Sequence, residues 1–472
     1  MSFSALLTTG CGSSDTEFVR SGGSSASSPT GTITVIHTLL RALPSYVTDL
    51  RFTGMDASDT VVFGPTTRTP AATITLTDVP ITVVKLRIEY LGDGEVVGLF
   101  ETPVTVPAGG NVTLNDPAWT DVPPTGASYT STSVSVAPAS HPLSVALGDL
   151  NKDGKLDLAV ANNGSDNVSV FQGDGNGGFT AFAGSPLATG GTQPESVAVG
   201  DLDGDGNLDL AVANGGSQDV SIFHGNGDGS FTMPATFPAG LAPVSVATGD
   251  LNGDNRPDLA VANNVMSGTA SVLLNAGGGV FGGPTGYNAG ALPKAVAVGD
   301  LDGDGKLDLA VANQGSDDLS VLLNTGGAVF GAPTNYSTGA TPSSVAIGDL
   351  DGDGHLDLVV TNGGSDSASI LKNSGNGGFT LSTSLLTETT PVSVAIGDLN
   401  GDNRPDLAVA NGSSNNLSTF LGNGDGTFVT STALATGASP SSVALGDLTN
   451  DGKLDLAVAN SNSNDLTVLL RQ

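Results

Sequence analysis

The stretch DLDGDGNLDLAVAN, residues 201–214, decides the fold of this chain, because variants of it recur seven times. Their first aspartates are Asp149, Asp201, Asp250, Asp300, Asp349, Asp398 and Asp447, spaced by 52, 49, 50, 49, 49 and 49 residues. A period of about fifty suits a four-stranded propeller blade. Each unit reads alike. In the fifth, SSVAIGD (343–349) and LDLVVTN (356–362) are short runs, followed by the polar turn GGSDS (363–367) and a third run, ASILKN (368–373). A glycine turn ending in Phe379 and a fourth, more polar run complete the unit. Alternating runs of four to seven residues between Gly/Asn/Ser/Asp turns predict strands and hairpins. Small residues such as Ala346 and Gly348 suit the crowded centre where blades meet.

The ends of the chain predict how the ring closes. The last unit stops at Gln472, just after its third run (DLTVLL, 465–470), and lacks a fourth. An unmatched run, YTSTSVSV (129–136), precedes the first unit. Residues of about 128–136 are therefore expected to supply the outer strand of the last blade and remove an open sheet edge. The expected fold class is all-β: a seven-bladed propeller over 127–472, preceded by a small β-sandwich.

Between the first and second runs of every unit lies an acidic loop with oxygen side chains at positions 1, 3, 5 and 9. These are Asp149, Asn151, Asp153 and Asp157 in unit 1, and Asp201, Asp203, Asp205 and Asp209 in unit 2. Unit 3 has Asp250, Asn252, Asp254 and Asp258; unit 4 has Asp300, Asp302, Asp304 and Asp308. Unit 5 has Asp349, Asp351, Asp353 and Asp357; unit 6 has Asp398, Asn400, Asp402 and Asp406. Unit 7 has Asp447, Thr449, Asp451 and Asp455, and Thr449 makes it the weakest expected site. Calcium takes six to eight oxygens, so tight loops converging several carboxylates with a backbone carbonyl suit it. Up to seven calcium sites are expected. The carbonyl at position 7 is the expected backbone ligand, leaving free to vary the side chains Lys155, Asn207, Arg256, Lys306, His355, Arg404 and Lys453. Gly at position 4 or 6, or Asn at 255 and 403, supports a left-handed turn. Asp-Gly runs also form ordinary turns, but a turn needs two or three such residues, not four oxygens in register. Position 12 is apolar (Val160, Val212, Val261), which excludes an EF-hand with its bidentate Glu.

These loops resemble those of FG-GAP and VCBS repeat propellers, related to the head of integrin α subunits. The glycine turns before Phe support the likeness: GDGNGGF (173–179), GNGDGSF (225–231), NSGNGGF (373–379) and GNGDGTF (422–428). The resemblance implies that calcium stabilises one face while partners bind the opposite one. It makes the turns at 162–167, 214–219, 313–318, 362–367 and 460–465 the candidate surface for a glycan or protein ligand.

Composition bounds the rest. With 47 acidic residues against 15 basic ones and a net charge of −32, the chain lacks the Lys/Arg footprint that nucleic acid requires. No run of 18 apolar residues encodes a membrane span. The one cysteine, Cys11, rules out an internal disulfide framework. Residues 4–14 (SALLTTGCGSS) resemble the end of a bacterial lipoprotein signal peptide in which this cysteine carries lipid, although Thr8 stands where Leu is usual. Residues 1–31 thus read as a truncated signal-like segment and a Ser/Gly-rich tether. An extracellular or bacterial cell-surface location, a monomer and a possible lipid anchor at Cys11 follow as expectations. Residues 32–122 lack the repeat, and their alternating runs predict the sandwich, similar to immunoglobulin-like or transthyretin-like modules.

No nucleophile, phosphate loop or transition-metal motif stands out among His37, His141, His224 and His355 or elsewhere. The expectation is a calcium-binding adhesion or ligand-binding module rather than an enzyme. The alternatives are a purely structural scaffold and a polysaccharide lyase. A lyase would need Lys, Arg or Tyr converging in one pocket.

Overall fold

In the computed structural model the chain divides into two units, Met1–Thr125 and Gly126–Gln472. The structure describes residues 127–136, 140–430 and 433–472 in full, and in the N-terminal unit the strands alone. There, Phe3–Leu6 pairs in parallel with Thr30–Ile36, in a sheet with Thr73–Leu76, Val79–Pro80 and Asn111–Leu114. A second sheet, antiparallel, runs Val61–Arg68, Asp49–Met55, Lys85–Gly92, Glu95–Pro103. The side-chain packing that would make a sandwich, together with Cys11 and residues 7–29 of the signal-like segment and tether, lies outside the described residues.

The second unit is seven antiparallel sheets of four or five strands. The inner strands begin at proline and end at glycine: Pro142–Gly148, Pro194–Gly200, Pro243–Gly249, Pro293–Gly299, Pro342–Gly348, Pro391–Gly397 and Pro440–Gly446. Each is followed, across the acidic loop, by a second strand that runs from Asp to Asn, such as Asp209–Asn214. All six residues of every second strand are buried. These strands pack on both faces, so they read as Asp-Leu-Ala-Val-Ala-Asn runs rather than as half-polar alternation. The outer strands see solvent on one face; they are short in blades 3 and 4, Thr285–Asn288 and Thr334–Ser337, and longer in blade 5, Phe379–Leu386.

The core lies between blades rather than within them. Seven buried clusters each draw on two adjacent blades. One joins Leu202, Ala211 and Ile222 of blade 2 to Val246, Leu259 and Phe281 of blade 3. Another joins Leu448, Leu466 and Val468 of blade 7 to Val145, Leu158 and Phe171 of blade 1, which closes the ring. Edge-on ring pairs add to three of the joints: Phe237 with Phe281, Tyr287 with Phe330 and Tyr336 with Phe379, centroids 5.0–5.6 Å apart.

Ring closure follows the expectation. Tyr129–Ser135 is the outer strand of the last blade and pairs antiparallel with Asp465–Arg471, Tyr129 opposite Arg471 and Ser135 opposite Asp465. Its Tyr129 hydroxyl donates to the Leu399 carbonyl of blade 6 at 3.1 Å. The last blade is thereby stitched from both ends of the unit.

Leu466, fully buried at this joint, sets a first prediction. Leu466→Ala should destabilise the propeller by about 2–5 kcal/mol in denaturant unfolding, whereas Leu386→Ala, 81% exposed, should stay within about 0.5 kcal/mol. Equal effects would contradict a core carried at the blade joints.

Candidate functional site

The acidic loops open where each inner strand ends. The ninth residue of each loop, the first of the second strand, is an aspartate with at most 1% exposure: Asp157, Asp209, Asp258, Asp308, Asp357, Asp406 and Asp455. One of its oxygens accepts the N–H of loop position 2, at 2.8–3.1 Å in every blade. The other accepts the N–H at the end of the third strand, sixteen or seventeen residues on, at 2.7–2.8 Å. Each of these carboxylates therefore pins both ends of the loop's surroundings.

Position 2 is always Leu, and its side chain is at most 2% exposed. Its carbonyl faces a neighbouring blade. Leu448 and Leu150 accept the N–H of Gly177 and Gly229, and Leu251 and Leu350 those of Ala328 and Gly426. Leu202 and Leu301 accept the Asn275 and Asn373 amides, and Leu399 accepts the Tyr129 hydroxyl. The loop is thus latched to the next blade in all seven joints. Sequence reasoning missed this residue, although its recurrence directly after the first aspartate of every loop was visible.

Positions 1, 3 and 5 lie on the surface side of the loop. In blades 2, 4 and 5 one carboxylate oxygen from each lies within 4.8 Å of the others: Asp201, Asp203 and Asp205; Asp300, Asp302 and Asp304; Asp349, Asp351 and Asp353. Position 1 folds back on the loop's own amides, Asp300 accepting the N–H of Gly303 at 2.9 Å and of Gly305 at 2.9 Å. Gly303 and Gly305 both have positive φ, and Asn255 and Asn403 take the same left-handed conformation at position 6, as expected. In blades 1 and 6 the position-3 Asn151 and Asn400 donate to the position-5 carboxylate, at 3.3 and 3.1 Å. In blade 7 the Thr449 hydroxyl turns to Asp455 at 3.3 Å.

The loop residues themselves offer oxygen in every blade, which fits a hard divalent cation. One donor is left over: Asp351 Oδ1 is buried without a hydrogen-bond partner, while Oδ2 faces Lys372 Nζ at 3.0 Å. Blade 2 adds a nitrogen. His224 Nδ1 lies 3.4 Å from Asp203 Oδ2 and 3.6 Å from Asp209 Oδ2, a neighbour that the sequence, fifteen residues away, does not reveal.

The position-7 side chain varies in identity as expected, but five of the seven also engage the loop: Lys155, Arg256, Lys306, Arg404 and Lys453 each pair with the position-5 carboxylate two residues earlier. The position-7 N–H also donates to that carboxylate in all seven loops. The Lys306 hydrogen bond holds Asp304 below the ordinary carboxylate range, and that of Lys453 does the same for Asp451.

The buried ninth position behaves in the opposite way. Burial pushes Asp157 and Asp308 up to about 6 and Asp406 up to about 7, against two amide donors each and with the loop's other carboxylates adding to the rise. A carboxyl whose folded value exceeds its unfolded one keeps its full stability contribution below the unfolded value, 3.8, and loses it as pH rises through the folded value. In chelator, the melting temperature should therefore fall between about pH 4 and pH 7. A rise across that window, read by scanning calorimetry, would contradict this ionisation.

The opposite face carries a cavity of about 570 Å³ at the mouth of the central channel, lined by the starts of all seven inner strands. Its floor is a ring of serines. The oxygens of Ser442, Ser144, Ser196, Ser245 and Ser393 accept the N–H of Val145, Val197, Val246, Val296 and Val443 in the next blade, at 3.2–3.3 Å. The expected ligand turns reach this mouth through Gln314, Gly363 and Ser461. Among the described residues no helix is long and apolar enough to cross a membrane.

No curated protein matches the chain. Solved structures share the fold at low identity. A BBS1N–ARL6DN complex aligns at 14% identity and TM-score 0.52, over 74% of this chain and 98% of that one. Virginiamycin B lyase from Staphylococcus aureus aligns at 11% and 0.50, over 73% and 100%. A putative 6-phosphogluconolactonase from Bacteroides fragilis aligns at 14% and 0.50, over 85% and 98%. The sequence matches the FG-GAP-like repeat six times in overlapping register, over residues 149–212, 201–261, 252–311, 300–360, 349–409 and 398–458. With seven latched blades built on those repeats, this chain belongs to the FG-GAP-like repeat family.

Proposed function

We propose that this propeller binds calcium in its acidic loops and serves as a non-enzymatic ligand-binding module of an extracellular or cell surface. The observation that carries the calcium half is the convergence of three carboxylate oxygens within 4.8 Å in blades 2, 4 and 5. Held together without a cation, such charges repel at short range. A divalent ion turns that repulsion into a bond between loop and blade. The residues that would hold it are those at positions 1, 3, 5 and 9 with the carbonyl at 7. The ion's contribution would be to lock the loop, and with it the Leu latch to the next blade.

The module half rests on the separation of the two faces. The acidic loops occupy one, and the polar cavity and Asn/Ser/Gly/Asp turns occupy the other. The cavity lining offers one Lys and one Glu and contains no Arg, Tyr or His, which favours binding over acid–base chemistry. The chemistry of the fold neighbours stays with those proteins.

Calcium at a hundredfold excess over Kd should stabilise the fold by about 2.7 kcal/mol for each independent site. The melting temperature should rise in calcium, fall in chelator and respond less to magnesium. Asp302→Ala should reduce the calcium stoichiometry by one, and Thr449→Asp should tighten the blade 7 site, both by titration calorimetry. A melt indifferent to calcium and chelator would overturn the calcium half. A panel of glycans, matrix proteins and free-ended short peptides of which none binds, with or without calcium, would overturn the module half in favour of a scaffold.

A further inference from the structure

The inner strands repeat Pro-x-Ser-Val-Ala-x-Gly with little variation except at their second residue. That residue is Leu143, Glu195, Val244, Lys294, Ser343, Val392 and Ser441 in blades 1 to 7. The antiparallel register shifts at this residue in all seven blades, from Pro142/Ser144 to Pro440/Ser442. Such a bulge releases one side chain from the ladder and re-aims it. Here it aims at the cavity at the channel mouth. Symmetry is broken there by two charges, Glu195 in blade 2 and Lys294 in blade 4, the only ionisable groups in the lining.

We propose that this mouth binds a small zwitterion of the amino-acid or short-peptide class, its carboxylate at Lys294 and its ammonium at Glu195. The inference deepens the ligand-binding half of the proposed function. The Glu195 half of the site is built before any ligand arrives, and on the other half the backbone beside Lys294 is held. Asn163 Nδ2 donates to Glu195 Oε1 at 3.1 Å and fixes the carboxylate. Asn264 Nδ2 donates to the Pro293 carbonyl beside Lys294 at 2.9 Å. Among the described residues neither charge is in an ion pair within 4.0 Å. Burial pushes the Glu195 carboxyl up and the Lys294 charge pulls it back, and both residues line the same cavity. Each serine that accepts a neighbouring N–H keeps its own O–H to donate toward ligand oxygens. The ring of serines is interrupted by Ala295, beside Lys294.

Charge and lining separate the ligand classes. A simple anion is repelled by a chain of net charge −32, and a simple cation leaves Lys294 unmatched. A glycan would want an aromatic platform, and no lining residue is aromatic. A zwitterion is neutral overall and meets both charges. A cavity of about 570 Å³ accommodates a few residues of peptide.

The test is titration calorimetry of the whole chain in calcium with triglycine and a pool of free-ended tripeptides, against their N-acetylated and C-amidated forms and maltotriose. Free-ended peptides should bind at least tenfold tighter than either blocked form. Glu195→Gln should abolish discrimination against the acetylated form, and Lys294→Gln discrimination against the amide. The doubly exchanged Glu195→Lys, Lys294→Glu protein should regain binding to the free form, with melting curves checking the fold of each variant. Free peptides that bind no tighter than blocked ones, or are indifferent to both substitutions, would overturn the proposal, as would no binding at all. A ligand from the panel whose binding ignores both substitutions would leave the module reading standing and remove this site.

Discussion

Seven aspartates, buried with both oxygens held by backbone amides, are the interaction on which this ring depends. Each ties the start of an acidic loop to the end of the third strand of its own blade. That tie sets the depth to which the loop's Leu is driven between blades. It also presents the Leu carbonyl to a donor on the next blade. A buried carboxylate is costly unless its oxygens are satisfied. Here two amides per side chain meet that cost in part, and the charged loop beside it raises it again. A cation in the loop would relieve the second cost without disturbing the first pair of bonds, because each carboxylate oxygen has a further lone pair.

The arrangement makes the loop and the blade joint one mechanical unit. Hydrophobic burial supplies most of the adhesion between blades, and the clusters run around the whole ring without a gap. Apolar contacts alone are not directional. The Leu carbonyl latch on one face and the serine-to-Val bonds on the other fix the angle at which successive blades meet. The two faces are consequently different in kind. One is acidic and repeats sevenfold; the other keeps its backbone repeat but varies the one bulged side chain, which is where a repeat protein can differentiate without altering its frame.

The sevenfold repeat, the strand order and the strand that closes the ring were legible because they rest on spacing and alternation, which are local properties of the chain. Tyr129–Ser135 fell within a residue of its expected limits at either end. The loop residues were legible as candidates for the same reason. What escaped was contact between units. Val145 meets Ser442, 297 positions away, and nothing in either heptad of the inner strand names its partner. The burial of the ninth-position aspartates was hidden because all loop aspartates look alike in sequence. The pairing of Lys155 or Arg404 with position 5 was legible in principle, since charges two residues apart in a tight turn can meet.

The acidic loops are proposed to close around a divalent ion that locks the latch the Leu carbonyls already form between blades. Long-wavelength anomalous diffraction from crystals grown in calcium tests it most directly. The account predicts a peak within each loop, strongest in blades 2, 4 and 5, surrounded by oxygens at about 2.3–2.6 Å. Loops that kept their hydrogen bonds but showed no peak in saturating calcium would contradict it.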